Sequence, residues 1–265
     1  MRIGIHVCQS ARKRWLRLAQ FVLPNLCPLC GNLSRNTLNA LNAPSGSGAL
    51  CGDCEALCWN EPRLRCTVCA LPLARAHDRS DRTRYRYRCA GCIEAPPAFD
   101  ATFALGDYRA PLDLLARDLK FGARLALGKT FARRLAQEAG DALTPATRPD
   151  VIVPVPLSRA RLVGRGYNQA WQIARPLARS LGIRADATLV RRTLHTAPQS
   201  HLDRDTRRRN VERAFALTKP VRGLHVGVVD DVMTSGATLD ALAHTLKTAG
   251  ARRVTNFVAL RTPQD

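Results

Sequence analysis

No run of apolar residues in this 265-residue chain approaches the roughly 18 that a bilayer-spanning helix needs, so no such helix is expected. The opening stretch, MRIGIHVCQSARKRWLRLAQFVLP, has neither a continuous apolar core of signal-peptide length nor a small-residue cleavage pattern. The expected location is therefore cytoplasmic. Acidic residues are scarce, with 21 Asp and Glu against 41 Lys and Arg, and the net charge is +20. Such a field draws polyanions: nucleic acid, an acidic membrane surface or phosphorylated small molecules. An arginine-rich composition inherited from a GC-rich genome gives the same number, and charge by itself does not separate the two. A recognisable helix-turn-helix is also missing, which counts against a transcription regulator.

Cysteine is abundant. Eight of the ten cysteines fall into four CxxC pairs: Cys27/Cys30, Cys51/Cys54, Cys66/Cys69 and Cys89/Cys92. In a chain without a secretion signal this favours metal over disulfides. The spacing is C-x2-C-x20-C-x2-C followed by C-x2-C-x19-C-x2-C, a tandem repeat that reads as a double zinc ribbon. Each CxxC turn presents two thiolates and exposed amides, half of a tetrahedral four-sulfur site. An iron centre or reversible dithiols are the alternatives, and an interleaved pairing would also give four ligands per metal. Cys8 and Cys58 stand outside the pairs and read as free thiols, although Cys58 is close enough to Cys54 to replace a ligand.

Three regions follow. Residues 1–24 form a basic arm in which Trp15, Leu16, Leu18, Ala19, Val22 and Leu23 recur near helical spacing among Arg12, Lys13, Arg14 and Arg17. A helix covering its neighbour is the favoured reading, a membrane or nucleic-acid contact the other. Residues 25–97 hold the ribbons, a region whose own core is too small to be stable without metal. Within it lie the flexible insert NAPSGSG (42–48) and RAHDRSDRTRYRYR (75–88). The latter reads as a solvated loop or as a surface that stacks bases and contacts phosphate.

Residues 98–265 change style. Strands are expected at Ala101–Leu105, Val151–Val155, Thr188–Arg192, Val226–Asp230 and Val254–Leu260. Helices are expected at Pro111–Lys120, Ala126–Glu138, Gln169–Leu181, Asp203–Val211 and Ala237–Ala249. Apolar β-branched strands alternating with helices give an α/β fold, a mostly parallel sheet with helices on both faces. Ligands then bind beyond the carboxyl ends of the strands.

The chemistry concentrates in VGVVDDVMTSGATLDALAHTL (226–246). Two adjacent carboxylates at the end of a buried strand repel one another and are costly to desolvate, so a fold gains nothing from them unaided. Immediately after them, Thr234, Ser235 and Thr238 offer hydroxyls and Gly236 lets the backbone approach closely. A helix N-terminus there adds unpaired N–H groups. The combination is a phosphate cradle beside two acids, and a phosphorylated ribose with a divalent cation answers to both halves.

VGVVDDVMTSGAT resembles the signature of the type I phosphoribosyltransferases, and the resemblance implies a Rossmann-like fold. It also implies that Asp230 and Asp231 hold the ribose hydroxyls of phosphoribosyl pyrophosphate (PRPP), with Mg2+, while Thr234, Ser235, Gly236, Ala237 and Thr238 hold the 5′-phosphate. VPVPLSRARLVGRGYNQA (153–170), TAPQSHLDRDTRRRNVERAF (196–215) and YRAPLDLLARDLKFGA (108–123) narrow the likeness. They are similar to segments of the ComF family, which joins a double zinc ribbon to a phosphoribosyltransferase-like domain and is linked to natural competence and DNA uptake. Tyr167 and Ser235 replace the Phe and Thr common there.

Arg159, Arg161, Arg165, Gly164 and Gly166 suit pyrophosphate oxygens. Asn168 and Gln169 open the next helix, and Lys120 reads as a further phosphate contact or as a solvated lysine at a helix end. Gln199, Arg207 and Asn210 fall where type I enzymes keep a loop that closes over PRPP. The expected function is that of a phosphoribosyltransferase-like protein that binds PRPP with Mg2+ and acts, by transfer or by pyrophosphorolysis, on an unknown acceptor, connected to DNA uptake. The alternative is a single-stranded-DNA-binding accessory, working with uptake or recombination proteins, that keeps PRPP binding as a sensor.

Overall fold

The computed structural model describes residues 26–32, 49–59, 63–76, 87–140, 142–193 and 214–264. The basic arm, Cys8, the 42–48 insert, most of 75–88, the expected helix at Asp203–Val211, and Gln199, Arg207 and Asn210 lie outside these residues. Chain contacts divide the molecule into two compact units, Met1–Leu57 and Cys58–Asp265.

In the first unit, turns around Cys27 and Cys51 lead into the short helix α1 (Gly52–Cys58), whose last residue belongs to the second unit. Gly31 N donates to Cys27 O at 2.9 Å, and Gly31 takes φ +73°, a conformation that glycine adopts without strain.

The second unit begins with an antiparallel pair, β1 (Arg63–Arg65) and β2 (Pro72–Ala76), and a short helix α2 (Ala90–Glu94). The elements that follow are β3 (Ala101–Asp107), α3 (Leu112–Phe121), α4 (Ala126–Gly140), β4 (Val151–Pro154) and α5 (Arg159–Arg165). Next come α6 (Gln169–Leu181), β5 (Arg184–Ala185), β6 (Val190–Arg192) and β7 (Phe215–Leu217). The unit ends with β8 (His225–Met233), α7 (Ala237–Thr248) and β9 (Arg253–Arg261). Five strands form one parallel sheet in the order β3-β9-β8-β4-β5.

The central strands are buried almost throughout: every residue of β9 after Arg253, and all of β8 except Asp230 and Val232. Strands buried on both faces require helical cover on both. On one side α4 and α6 pack against each other and onto the sheet. They approach so closely that a Cβ added at Gly128 would sit 2.6 Å from Gln172 O. On the other side Leu239, Leu242, Ala243 and Leu246 of α7 meet Val226, Val228, Val254 and Val258. Cys66, Val68, Cys69 and Cys92 belong to that same apolar cluster. The second cysteine tetrad is thus built into the core of the larger unit.

The expected strand at Thr188–Arg192 differs in both extent and place. It shortens to β6 and pairs antiparallel with β7, which the sequence did not announce, instead of joining the parallel sheet. Asp186 accounts for the shortening, because its Oδ1 takes the N–H of Thr188 at 2.9 Å and of Leu189 at 3.1 Å, a turn that holds both residues out of a ladder.

Candidate functional site

Each cysteine tetrad is gathered. The sulfurs of Cys27, Cys30, Cys51 and Cys54 lie within 4.8 Å of one another, as do those of Cys66, Cys69, Cys89 and Cys92. The pairing is therefore sequential, not interleaved, and Cys58 is in neither set. Four sulfurs at such separations fit a tetrahedral metal with Zn–S bonds of about 2.3 Å.

The surroundings split the thiols, favouring the thiolate at Cys66 and Cys27 and the protonated form at Cys30, Cys54, Cys69 and Cys92. Hydrogen bonding from the Cys69 thiol lowers Cys66 to about 4, overcoming burial, with backbone N–H groups of the turn assisting. Cys27 falls to about 6 because N–H groups at Cys51, Cys30 and Leu29 outweigh the opposing effect of burial. Burial drives Cys92 up to about 12. Four thiols with no cation between them would divide in this way, some ionised and some protonated, whereas a divalent metal accommodates four thiolates together.

At the other functional region, β8 does not end at Asp230 as the sequence suggested. Its register against β9 continues through Val232↔Leu260 to Met233↔Arg261. The acids therefore lie within the strand, where alternation sends consecutive Cβ atoms to opposite faces and relieves part of their repulsion. Asp231 is buried and points toward α6, where its Oδ1 accepts from Gln169 Nε2 at 3.3 Å. Its Oδ2 is buried with no hydrogen-bond partner among the described residues. Asp230 curls back so that its Oδ1 accepts the N–H of Asp231 at 2.9 Å. Burial, and then the neighbouring Asp231 charge, hold the Asp230 carboxyl well above the usual carboxylate range. An orphaned buried carboxylate oxygen beside a second acid of raised affinity for protons fits a hydroxyl pair or a divalent cation.

After Met233 the chain turns through Thr234, Ser235 and Gly236 into α7. Gly236 is the N-cap residue at φ +84°, and Ser235 Oγ accepts weakly from Ala237 N at 3.4 Å. The backbone N–H groups of Thr234, Ser235 and Gly236 meet no protein acceptor among the described residues. Asp230, Met233 and residues 234–239 line one open concavity, polar in character and not filled by side chains of the described residues. Thr234, Ser235, Ala237 and Thr238 are all exposed in it.

The other expected residues are arranged around α5 and α6. Arg165 closes α5, its guanidinium bonded to Gln169 Oε1 and 5.5 Å from the Phe121 ring centroid. Gly166 follows at φ +82°. The Asn168 side chain is committed to structure, accepting from Ala170 N at 2.9 Å as the N-cap of α6 and donating to Val155 O at 3.0 Å. Lys120 is half-buried at the end of α3, where its charge favours the ionised form of Asp230. Tyr167 Oη donates to Leu119 O at 2.5 Å and ties this turn to α3.

Two residues carry more of the site than the sequence indicated. Gln169 links Arg165 to Asp231, a contact that depends on α6 lying against β8. Arg261, 1% exposed, reaches the loop from the end of β9. A glutamine opening a helix and an arginine ending a strand have no distinguishing pattern in sequence.

The chain is similar to several known proteins. The phosphoribosyl transferase domain family matches residues 168–265. The chain is 33% identical over 242 residues to the DNA utilization protein YhgH of Escherichia coli O157:H7, spanning 91% of this chain and 98% of that one. It is 34% identical over 185 residues to competence protein F of Haemophilus influenzae, covering 67% and 80%. Against competence protein ComFC of Bacillus subtilis it is 24% identical over 268 residues, covering 96% and 84%. A purine phosphoribosyltransferase from Pyrococcus horikoshii overlaps 50% of this chain and 81% of its own at 18% identity and TM-score 0.30, too loosely to equate residues. With full-length relatives, a phosphoribosyltransferase-type sheet and two cysteine tetrads, the chain belongs to the ComF family.

Proposed function

We propose that the protein binds PRPP together with Mg2+ at the carboxyl end of β8, and that this activity serves DNA uptake. The observation that carries the reading is the open concavity where unspent N–H groups of 234–236 and the N-terminus of α7 converge beside Asp230. A 5′-phosphate there would receive backbone hydrogen bonds and the favourable end of the helix dipole. Thr234, Ser235 and Thr238 would add hydroxyl donors, with Gly236 and Ala237 contributing backbone. Asp230 and Asp231 would take the ribose hydroxyls, the orphaned Asp231 Oδ2 gaining the donor it lacks. Lys120, Arg165, Gly166, the Asn168 turn and, from the 196–215 segment, Arg207 would surround the pyrophosphate.

Mg2+ would supply charge neutralisation of the leaving pyrophosphate. The chain's own residues would anchor the phosphate, orient the ribose through its diol and keep the anomeric carbon in a fixed position. These residues recognise the phosphoribosyl donor and do not specify the acceptor. Zinc in both tetrads would be structural, making 25–97 a double ribbon that precedes the phosphoribosyltransferase-like region 98–265. Calorimetric titration with PRPP and magnesium tests the reading. Saturable binding is expected, and no heat at millimolar PRPP would overturn it.

A second reading is favoured by one observation: Arg159 and Arg161 are exposed on α5 beside Arg165. A single-stranded-DNA accessory retaining PRPP as a sensor would use such a basic flank. Fluorescence anisotropy with a labelled oligonucleotide tests it. An affinity that falls steeply with salt, and no consumption of PRPP, would favour this role over transfer.

A further inference from the structure

Arg261 is the largest fully buried side chain among the described residues, 1% exposed. Burying a guanidinium is costly unless its donors and its charge are both answered. Nε and Nη1 are answered by backbone carbonyls. Nε donates to Cys69 O at 2.9 Å, while Nη1 donates to Met233 O at 3.0 Å, to Thr262 O at 2.8 Å and to Thr234 O. No carboxylate pairs with it among the described ion pairs. What lies beside it instead is a cysteine tetrad, which with one divalent ion and four thiolates would carry two negative charges.

We propose that Arg261 is a positioning residue that couples the second cysteine tetrad to the anion-binding loop, so that metal in the tetrad sets the loop's affinity for a sugar phosphate. The proposal rests on the reading of 234–238 as that loop. One end of the guanidinium is fixed by Cys69 O, whose position follows from the turn that gathers the ligands. In that turn Ala70 N donates to Cys66 O at 2.8 Å, and Arg65 Nη1 holds Ala70 O at 2.9 Å. The other end fixes the carbonyls of Met233 and Thr234. Because C=O and N–H point opposite ways across a trans peptide, drawing those carbonyls toward Arg261 turns the N–H groups of Thr234 and Ser235 away from it. Those are donors that meet no protein acceptor among the described residues.

Without metal, nothing holds the four sulfurs in a tetrahedron, and the turn that carries Cys69 O loses that restraint. Arg261 then loses its anchor, and the two loop carbonyls are released with it. Binding and metal retention must influence each other equally, since coupling between two sites is reciprocal.

The test uses the full chain, zinc-loaded or stripped by chelator, titrated with PRPP and magnesium by calorimetry. Hydrogen exchange at 233–238 and zinc release to a colorimetric chelator are followed in parallel. Stripping is expected to weaken PRPP by about tenfold or more and to speed exchange in the loop, and PRPP is expected to slow zinc release. In Arg261→Met these linkages should vanish: the protein binds PRPP weakly whether loaded or stripped, and PRPP no longer protects its zinc. Arg261→Lys keeps the charge without the fork and should restore only part of the coupling. Unchanged exchange at 233–238 in the stripped protein, or equal PRPP affinity with and without zinc, would overturn the proposal. If zinc-loaded wild type fails to bind PRPP at all, the functional reading falls, while loop exchange still decides the coupling. If Arg261→Met does not fold, the wild-type comparison and Cys69→Ser, expected to reproduce the stripped state, carry the decision.

Discussion

Gln169 Nε2 stands 3.3 Å from Asp231 Oδ1, so the first residue of α6 holds an acid seated in the middle of the sheet. The bond satisfies one carboxylate oxygen and leaves the other, Oδ2, buried without a partner among the described residues. A fold does not ordinarily retain so costly a group without compensation.

Asp231→Asn should therefore separate stability from binding. Removing a buried, half-satisfied charge is expected to stabilise the free protein by about 1–2 kcal/mol in urea unfolding. The same change should weaken PRPP about 10- to 100-fold in calorimetry, through loss of charge-assisted hydrogen bonds. Equal PRPP affinity for Asp231→Asn combined with Asp230→Asn would remove both acids from the site.

Gly236→Ala addresses the turn itself. At φ +84° an L-residue is strained by about 1–2 kcal/mol, and its Cβ would meet Met233 Cε at 2.6 Å. Met233 can move aside, but the backbone cannot keep this conformation without that strain. PRPP affinity is expected to fall about tenfold while the melting temperature changes by only a few degrees. Binding at wild-type strength would show that the turn's conformation is not what receives the phosphate.

His225 gives a pH signature separate from the site. It is fully buried at the start of β8, with Nε2 2.8 Å from Thr255 Oγ1 and Nδ1 unpartnered among the described residues. Burial, and then the nearby Arg253 charge, depress it from 6.5 to about 4. The unfolded chain therefore takes up this proton more readily than the folded one. The contribution is fully present above about pH 6.5 and is lost as pH falls toward 4, with a magnitude on the order of 2–3 kcal/mol. Asp186, drawn down to about 2 by Lys219 and Thr188 in spite of burial, acts in a lower window, below about pH 4. His225→Gln should flatten the stability curve between pH 6.5 and 4 and leave the lower limb unchanged. A slope identical to wild type would exclude His225 as its source.

Elemental analysis should find about two zinc ions per chain, one for each tetrad. Cys69 lies in the apolar cluster with Val228 and Leu242, so losing its ligand would disturb the core as well as the ribbon. Cys69→Ser is expected to cost about 3 kcal/mol or more, seen as a fall of roughly 6–12 °C in melting temperature. Zinc content at zero, or a Cys69→Ser protein as stable as wild type, would refute a structural metal there.

Cysteine spacing alone indicated two four-sulfur sites, because CxxC turns are local and their geometry is set within a few residues. The alternation of β-branched runs with amphipathic helices likewise indicated a parallel sheet, and VVDDVMTSGAT marked a strand, a turn and a helix start. Local chemistry sufficed for each of these. Tertiary structure decided the rest. It joined the first ligand pair of each set to the second, carried β8 on through the acids to Met233, and turned β6 out of the parallel sheet to pair with β7. It also delivered Gln169 and Arg261 to the site from elements distant in sequence. Those outcomes depend on which faces pack together, and a pattern read along the chain holds no record of contacts made across it.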